Sequence, residues 1–467
     1  MPVKLITPLA LEAGALGGRL LITGGQIRDS LLFGGGSLSL RLKGDYDAVV
    51  FGLGLERVLA FALKYGPAKA VKRKGAFDRK EALIALKLGP IILEISPARS
   101  PNFPSGPDSL ATPKEDALTR DFTVNSIYYD PLTNEIIDPL GGIEDLKAKK
   151  LNLCGPDSLT SDPLRILRAM TLISRRSLVA GRSLLAAVSK AYPNLQTVSA
   201  DRFWPEWLKW SLARKPHLGL YFLKDSQAIQ FWPELAALIG LPQNRTFHPE
   251  GDAFNHTALV VESISRLPLS RRRKSYLLLS ALLHDVGKPK VLRFNEHDQP
   301  ITKGHPISGV PVAKGFLSRQ RTPYKVIAKV LKMVRWHMEL SFKELKPYLL
   351  RRVARALAPE CDLIDLWAIC LADWEGRRPR PYLFPYSLEE FLAPVKGAIT
   401  APPPLLRGQD LMAVFNITPG PQLGWLKNKV NAAFDAGLVR DRAEALALVK
   451  TLLTAPNEGE PPVPIAY

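Results

Sequence analysis

The sequence predicts an α+β head with a mixed or antiparallel sheet, followed by an all-α body. Three observations predict it. Through residues 19–145 short apolar runs alternate with short amphipathic stretches and Gly or Pro breaks. From residue 157 onward apolar residues recur instead at three- and four-residue spacing. The 40 prolines, many for a helical protein, indicate rigid and well-punctuated connections. At 467 residues the chain is too long for a single core, so roughly two to four domains are expected.

The elements follow in order. "RLLIT" (19–23) reads as a strand, Gly24-Gly25 as a break and "QIRDSLLF" (26–33) as a short helix. "YDAVVFG" (46–52) is a strand, and "LERVLAFALKYG" (55–66) is a helix closed by glycine. "ALIALKLGPIILEIS" (82–96) reads as two strands turning at Gly89-Pro90. The polar, Pro-rich stretch 97–116 is expected to be a mobile loop. Helical spacing then runs through 163–240, 256–283, 308–357 and 361–372. "APPPLLRGQD" (401–410) reads as a linker into a terminal helical unit, 405–455, and no internal repeat is present. The expected domains are 1–150, 151–245, 246–395 and 396–467.

The formal charge of +19 favours a polyanionic partner, nucleic acid before an anionic membrane. It is concentrated in basic clusters at 72–74, 271–274, 351–355 and 376–380, which together could track an RNA backbone. No apolar run approaches the roughly 20 residues that span a bilayer. The first residues carry a thin basic region and no cleavage site, so a cytoplasmic location is expected. Cys154, Cys361 and Cys370 form no close-set ligand pattern and read as buried thiols in a reducing compartment.

Chemistry first gathers in the head. Gly24 and Gly25 let the backbone approach a phosphate, and the helix after them offers unpaired N–H groups to an anion. Arg28 lies one turn into that helix. In "DYD", Asp45 and Asp47 project from the same face of a strand, an arrangement suited to oxygen-liganded Mg²⁺. Glu94, an acid inside the apolar strand "IILEIS", is the candidate third carboxylate of a clamp for in-line phosphoryl transfer. The alternative for Glu94 is an edge-strand acid facing water.

These parts, with "ALTRDFTVNSIYYDPLTNEIIDPLGGIEDL" (117–146) and "SDPLRILRAM" (161–170), resemble the bacterial class II tRNA nucleotidyltransferases and poly(A) polymerases of the polymerase β-like superfamily. The resemblance implies that Asp45 and Asp47 bind the catalytic Mg²⁺ and that Gly24, Gly25 and Arg28 lie at the triphosphate. It implies Arg120 and Asp121 at the ribose and phosphate side of the nucleotide. Asp162 and Arg165 would read the base edge, with Arg168 close by. A carboxylate beside a guanidinium suits both C and A, each of which offers an amine next to a ring nitrogen. Standing three residues apart, the two are expected on one helical face. The chain departs from the family in having Ser161 where Glu is usual and Thr119 where an arginine precedes Arg120. "AMTLISRRS" also stands where an "ARF" ending is usual.

A second constellation follows. Six of the seven histidines fall between 248 and 337. His256, His284-Asp285, His305 and His337 are followed by Asp373. A His-Asp pair ending an apolar helix is costly to bury without a ligand, and imidazole with carboxylate suits a divalent ion such as Mg²⁺, Mn²⁺ or Ni²⁺. The order resembles the HD phosphohydrolases, which implies water activation against a phosphate ester, room for two metals with Asp285 bridging, and Lys288 placed to hold the phosphate. The tail 405–449 resembles the tRNA-contacting helices of the same subgroup.

The expected activity is therefore addition or repair of the tRNA 3′ CCA end from CTP and ATP. The alternatives are a poly(A) polymerase acting on other RNA 3′ ends, an A-only or CC-only enzyme, or an HD phosphohydrolase with an RNA-binding head.

Overall fold

The protein is described here by a computed structural model, which covers residues 3–34, 44–74, 80–102, 108, 110–339, 345–379 and 384–454, with backbone alone at 72–74 and 80–82. Two compact units result: Met1–Ala236 with Arg319–Arg321, and Ala237–Ser318 with Thr322–Tyr467.

A seven-stranded mixed sheet organises the first unit. Its strands are β1 (Arg19–Thr23), β2 (Gly44–Phe51), β3 (Ala68–Lys74), β4 (Lys80–Leu88), β5 (Ile91–Pro97), β6 (Tyr128–Tyr129) and β7 (Ile136–Ile137), in the order β3-β4-β5-β2-β1-β6-β7. Within this sheet β2 and β5 run parallel and the other neighbours antiparallel. In β5 burial alternates: Ile91, Leu93 and Ile95 face the core while Glu94 and Ser96 face the other side. In β2 Tyr46 is buried between the two exposed aspartates, with Ala48, Val49 and Val50 continuing the core. Leu21, Val49, Phe51, Ala117 and Tyr128 form one apolar cluster of this unit.

The strands around Gly89-Pro90 lie where the sequence placed them, and the helix after β1 spans Gly25–Phe33. The helix expected over 55–66 is Leu55–Ala62. Strands β3, β6 and β7 were not anticipated, and neither were two helices. Val3–Ala15 is a helix that buries Ile6, Leu9, Ala10 and Ala13. The end of the expected loop is also helical, Pro113–Thr119, started by a capping box in which Thr112 and Glu115 satisfy each other's backbone N–H groups. Residues 103–107 and 109 of that loop lie outside the described residues.

Helices Arg165–Arg176, Arg182–Ala191, Phe203–Ser211 and Pro216–Asp225 complete the first unit around buried Trp207, Trp210 and Trp232, which meet edge to face at 5.3 and 5.4 Å. The second unit is built of helices, among them Ala253–Arg266, Arg271–Leu283, Tyr324–Trp336 and Leu363–Glu375. Three of these are capped by side chains: Asp252 accepts from Asn255 N, Ser270 from Arg273 N, and Asp362 from Ile364 N and Asp365 N. The terminal helices Gly408–Phe415, Pro421–Asp435 and Arg442–Thr454 share an apolar cluster that includes Leu411, Leu426 and Val449. No helix among the described residues is long and apolar enough to cross a membrane.

Candidate functional site

In the head, the strand register brings the carboxylates together. Asp47 on β2 stands opposite Glu94 on β5 and opposite Thr23 on β1, the residue before the Gly-Gly turn. Asp45, two residues earlier on β2, projects from the same face. Gly24 has φ +77°, and a Cβ there would lie 2.6 Å from Asp47 Oδ2. Glycine is thus required twice at this position, for its conformation and for the close approach to the carboxylate. Gly25 opens the helix whose first N–H groups border the same space. Carboxylates without imidazole or thiol make an oxygen donor set that fits Mg²⁺.

Arginines line the rest of a cleft of about 350 Å³ together with Gly24, Gly25, Asp47 and Glu94. Arg28 donates to Asn125 Oδ1 at 2.7 Å and to Asp29 Oδ1 at 2.6 Å, and Asp29 is gripped on its far side by Arg176. Burial pulls the Arg28 guanidinium downward, and Asp29 opposes it. Arg120 donates through Nε to Asp116 Oδ2 at 2.9 Å and to the Tyr128 hydroxyl at 3.1 Å. Asp121 Oδ1 accepts from Phe122 N and Asn125 Nδ2, while Oδ2 pairs with Arg168 at 2.7 Å. Burial raises the Asp121 carboxyl, yet Arg168 and Arg165 hold it below its ordinary range. The side chain of Arg168 is 45% exposed, the cation of this pair left reachable by a ligand.

Asp162 and Arg165 do not share a helical face. Asp162 lies in the break between helices Ser158–Ser161 and Arg165–Arg176 with φ −151° and ψ 95°. The reason is Pro163, whose ring drives the preceding residue out of the helical region. Asp162 Oδ2 pairs with Arg202 at 2.8 Å and Oδ1 accepts from Leu164 N at 3.2 Å. Arg165 spends its two terminal nitrogens on the main-chain carbonyls of Thr119, Arg120 and Ser158, with Ser161 Oγ at 3.4 Å. Its buried Nε has no hydrogen-bond partner among the described residues. Arg165 lines the cleft and Asp162 is not among the residues that do.

In the second unit the six expected ligands converge. His256, His284 and Asp373 form one group whose ligand atoms lie within 4.8 Å of each other, and Asp285, His305 and His337 form another. His256 Nε2 is 2.8 Å from Asp373 Oδ1; His284 Nε2 is 3.1 Å from Asp285 Oδ2, and His305 Nε2 is 3.2 Å from Asp285 Oδ1. Asp285 therefore reaches both groups with its two oxygens. Nδ1 of His284, His305 and His337 faces the carbonyls of Ala281, Thr302 and Val334 at 2.8–2.9 Å. A carbonyl only accepts, so each Nδ1 carries the proton and each Nε2 turns a lone pair inward. The Nε2 atoms of His305 and His337 then face each other at 3.1 Å. Buried lone pairs at that distance repel unless a cation lies between them, so the residues fit a divalent metal centre.

The electrostatics agree. Burial with the neighbouring His284 and His305 pushes the His337 imidazole down to about 3, keeping it neutral as a ligand must be. Asp285 and Asp373 lie well below the ordinary carboxylate range despite their burial, held there chiefly by His284 and Lys288 for the first and by Arg377 and His256 for the second. Lys288 Nζ sits 2.6 Å from Asp285 Oδ2 and donates to Gln243 Oε1 at 2.5 Å.

Several residues at these sites carried no local signal. Asp29, Arg176 and Asn125 support Arg28, and Arg202 reaches Asp162 from 40 residues away. Glu250 lies behind His256, and only its place in "HPEG", three residues ahead of a histidine-bearing helix start, could have drawn attention to it.

Known proteins resemble this chain in both of its units. A family model described as "Poly A polymerase head domain" matches residues 20–152, and one described as "HD domain" matches residues 253–376. The A-adding tRNA nucleotidyltransferase of Deinococcus radiodurans is 31% identical over 356 residues, 72% of this chain and 79% of that protein. The multifunctional CCA protein of Nitrosospira multiformis is 31% identical over 282 residues, 58% of this chain and 66% of that protein. The Bacillus stearothermophilus CCA-adding enzyme in complex with CTP shares the fold with a TM-score of 0.64, over 97% of this chain and 98% of that one, at 17% identity. The Thermotoga maritima CCA-adding enzyme complexed with tRNA aligns with a TM-score of 0.57 over 96% and 95%, at 20% identity.

Proposed function

The chain belongs to the tRNA nucleotidyltransferase family that contains the A-adding and CCA-adding enzymes, and on that footing we propose that it builds or repairs the 3′ CCA end of tRNA from CTP and ATP, releasing pyrophosphate. One observation carries the proposal. Asp47 is in register with Glu94 across the parallel strand pair, directly above a Gly24 that leaves no room for a side chain.

In this reading Gly24, Gly25 and the helix start after them receive the triphosphate, with Arg28 held in place by Asp29 and Asn125. Arg120, Asp121 and Arg168 flank the sugar and phosphates. Asp45, Asp47 and Glu94 would hold Mg²⁺, which when bound neutralises the charge that develops on the leaving pyrophosphate and favours the ionised 3′-hydroxyl. Base choice falls to Arg165, which lines the cleft, and to Asp162 once its carboxylate, held by Arg202 outside the cleft lining, turns toward the nucleotide. The test is incorporation into tRNA that ends at the discriminator base, with CTP alone, ATP alone and both. Two additions with CTP and three with the mixture support CCA synthesis; long tails with ATP alone contradict it.

A second reading, addition of the terminal A only, is favoured by the likeness to the Deinococcus radiodurans A-adding enzyme and by Ser161, whose neutral hydroxyl replaces the usual carboxylate beside Arg165. It predicts incorporation of A into tRNA ending in CC and none of C.

We propose further that the HD centre is a metal-dependent phosphohydrolase acting on phosphomonoesters or 2′,3′-cyclic phosphates. The two ligand groups bridged by Asp285 support it, with Lys288 beside them as the cation for a phosphate. His284→Ala or Asp285→Ala is expected to abolish hydrolysis and to spare nucleotide incorporation.

A further inference from the structure

Three of the four histidines in the HD centre are oriented in the same way, each Nδ1–H resting on a carbonyl three residues earlier. His256 differs. Its Nδ1 rests on no carbonyl and lies instead 2.6 Å from Glu250 Oε1, an ion-pair contact without hydrogen-bond alignment, while its Nε2 turns toward Asp373 and Asp285. The Glu250 side chain is only 2% exposed, and the same oxygen lies 2.9 Å from Nδ1 of His248. One carboxylate oxygen thus sits between two imidazoles, close to the start of the helix that carries His256.

The turn that presents Glu250 is built rather than loose. Phe247 N and His248 N donate to Asn244 O at 3.0 and 2.9 Å, and Gly251 N donates to His248 O. Asp252 ties both ends, accepting from Gly240 N at 2.7 Å and capping helix Ala253–Arg266 through Asn255 N. Gly251 has φ +110°, a conformation that lets the chain leave Glu250 and enter the helix within two residues. His256 is consequently held from outside its own helix, whereas the other three rings are held by local carbonyls.

A carboxylate behind an imidazole fixes the tautomer and ring orientation and makes the inward nitrogen a stronger donor than a carbonyl does. Of the two groups bridged by Asp285, His256 belongs to the one with His284 and Asp373, and it is also shared with a third cluster of donor atoms, His248, Glu250 and His256. In the group of Asp285, His305 and His337 the Nδ1 atoms of both rings rest on main-chain carbonyls. We infer that Glu250, steadied by His248, is the positioning residue for His256 and makes the His256–His284–Asp373 position the tighter of two metal positions, so that the two are filled in order. This rests on the reading of the HD centre as a two-metal site given above.

The full-length protein carrying Asp45→Ala and Asp47→Ala, which silences the head, is stripped of metal and titrated with Mn²⁺ by calorimetry and with Co²⁺ by its visible absorption. Two binding steps of unequal affinity are expected. Glu250→Gln, added to this background, should weaken the tighter step by about 10–100-fold and leave the weaker one in place. Glu250→Asp should recover part of the loss, and His248→Ala should weaken the same step less. Circular dichroism, with nucleotide incorporation by the single variant Glu250→Gln unchanged from wild type, reports that the fold is intact. Two unaltered steps in Glu250→Gln overturn the positioning role alone. Fewer than two ions in the starting protein overturn the two-metal reading on which it stands.

Discussion

A methyl group on Gly24 would press against Asp47 Oδ2 from 2.6 Å at a backbone angle of +77°, so Gly24→Ala strikes both the turn and the carboxylate. It is predicted to lower incorporation by about 100-fold, the scale of a misplaced reacting group, with little change in RNA binding. A radiolabelled-nucleotide assay beside a binding assay on the same protein checks this. Arg202 is the second residue to test. Its guanidinium is the charged partner of Asp162, and both side chains are buried to within 9–12% exposure. Arg202→Ala leaves that carboxylate without its cation in the interior, a loss of about 3 kcal/mol in urea unfolding. If base choice depends on how Asp162 is held, the ratio of CTP to ATP use should shift as well. Glu94 shows what a single residue's sequence context offers. An acid in an apolar strand was visible, but its placement opposite Asp47 depends on a strand pairing that spans 47 residues.

At the scale of elements, helix Arg165–Arg176 matters most to the head. It presents Arg168 to Asp121 and Arg176 to Asp29, and so pins two carboxylates on either side of Asn125. Both carboxyls stay below their ordinary range because these arginines outweigh the effect of burial. A depressed carboxyl stabilises the fold above the pKa of the unfolded chain and loses that contribution as pH falls through the folded value. The first unit should therefore weaken progressively below about pH 4. Asp29→Asn and Asp121→Asn should each lower stability at pH 7 and flatten its dependence on acid, as followed by thermal unfolding from pH 7 to 2.5. The start of this helix also marks where local sequence reasoning fell short. Spacing alone put Asp162 and Arg165 on one face, while Pro163 moved Asp162 into an extended break. The helix Val3–Ala15 escaped notice because Pro8 and Gly14 interrupt an otherwise apolar run, whereas β1, β2 and β5 were plain from apolar runs bounded by glycine. The capping box at Thr112 and Glu115 was a readable helix signal that the surrounding prolines obscured.

For the whole molecule, +19 of net charge is the dominant fact. If the partner is held mainly through phosphates, binding of tRNA should fall by about two to three orders of magnitude between 50 and 200 mM salt, for about five contacts. A filter-binding series over that range measures the slope. The order of chemistry along the chain was legible, since the Gly-Gly turn, the paired aspartates and the His, His-Asp, His, His, Asp series each mark a type of donor. What holds these groups, such as Glu250 behind His256 or Asn125 beside Arg28, was not, because those partners meet only when the chain folds. The central claim is that Asp45 and Asp47 carry nucleotide addition to tRNA in the head, independently of the HD centre. The most direct measurement compares the wild type with Asp45→Ala/Asp47→Ala and with His284→Ala on tRNA lacking its CCA end, supplied with CTP, ATP and Mg²⁺. Loss of addition in the double variant, with full addition in His284→Ala, is the predicted result. Addition that survives without both aspartates would contradict the account.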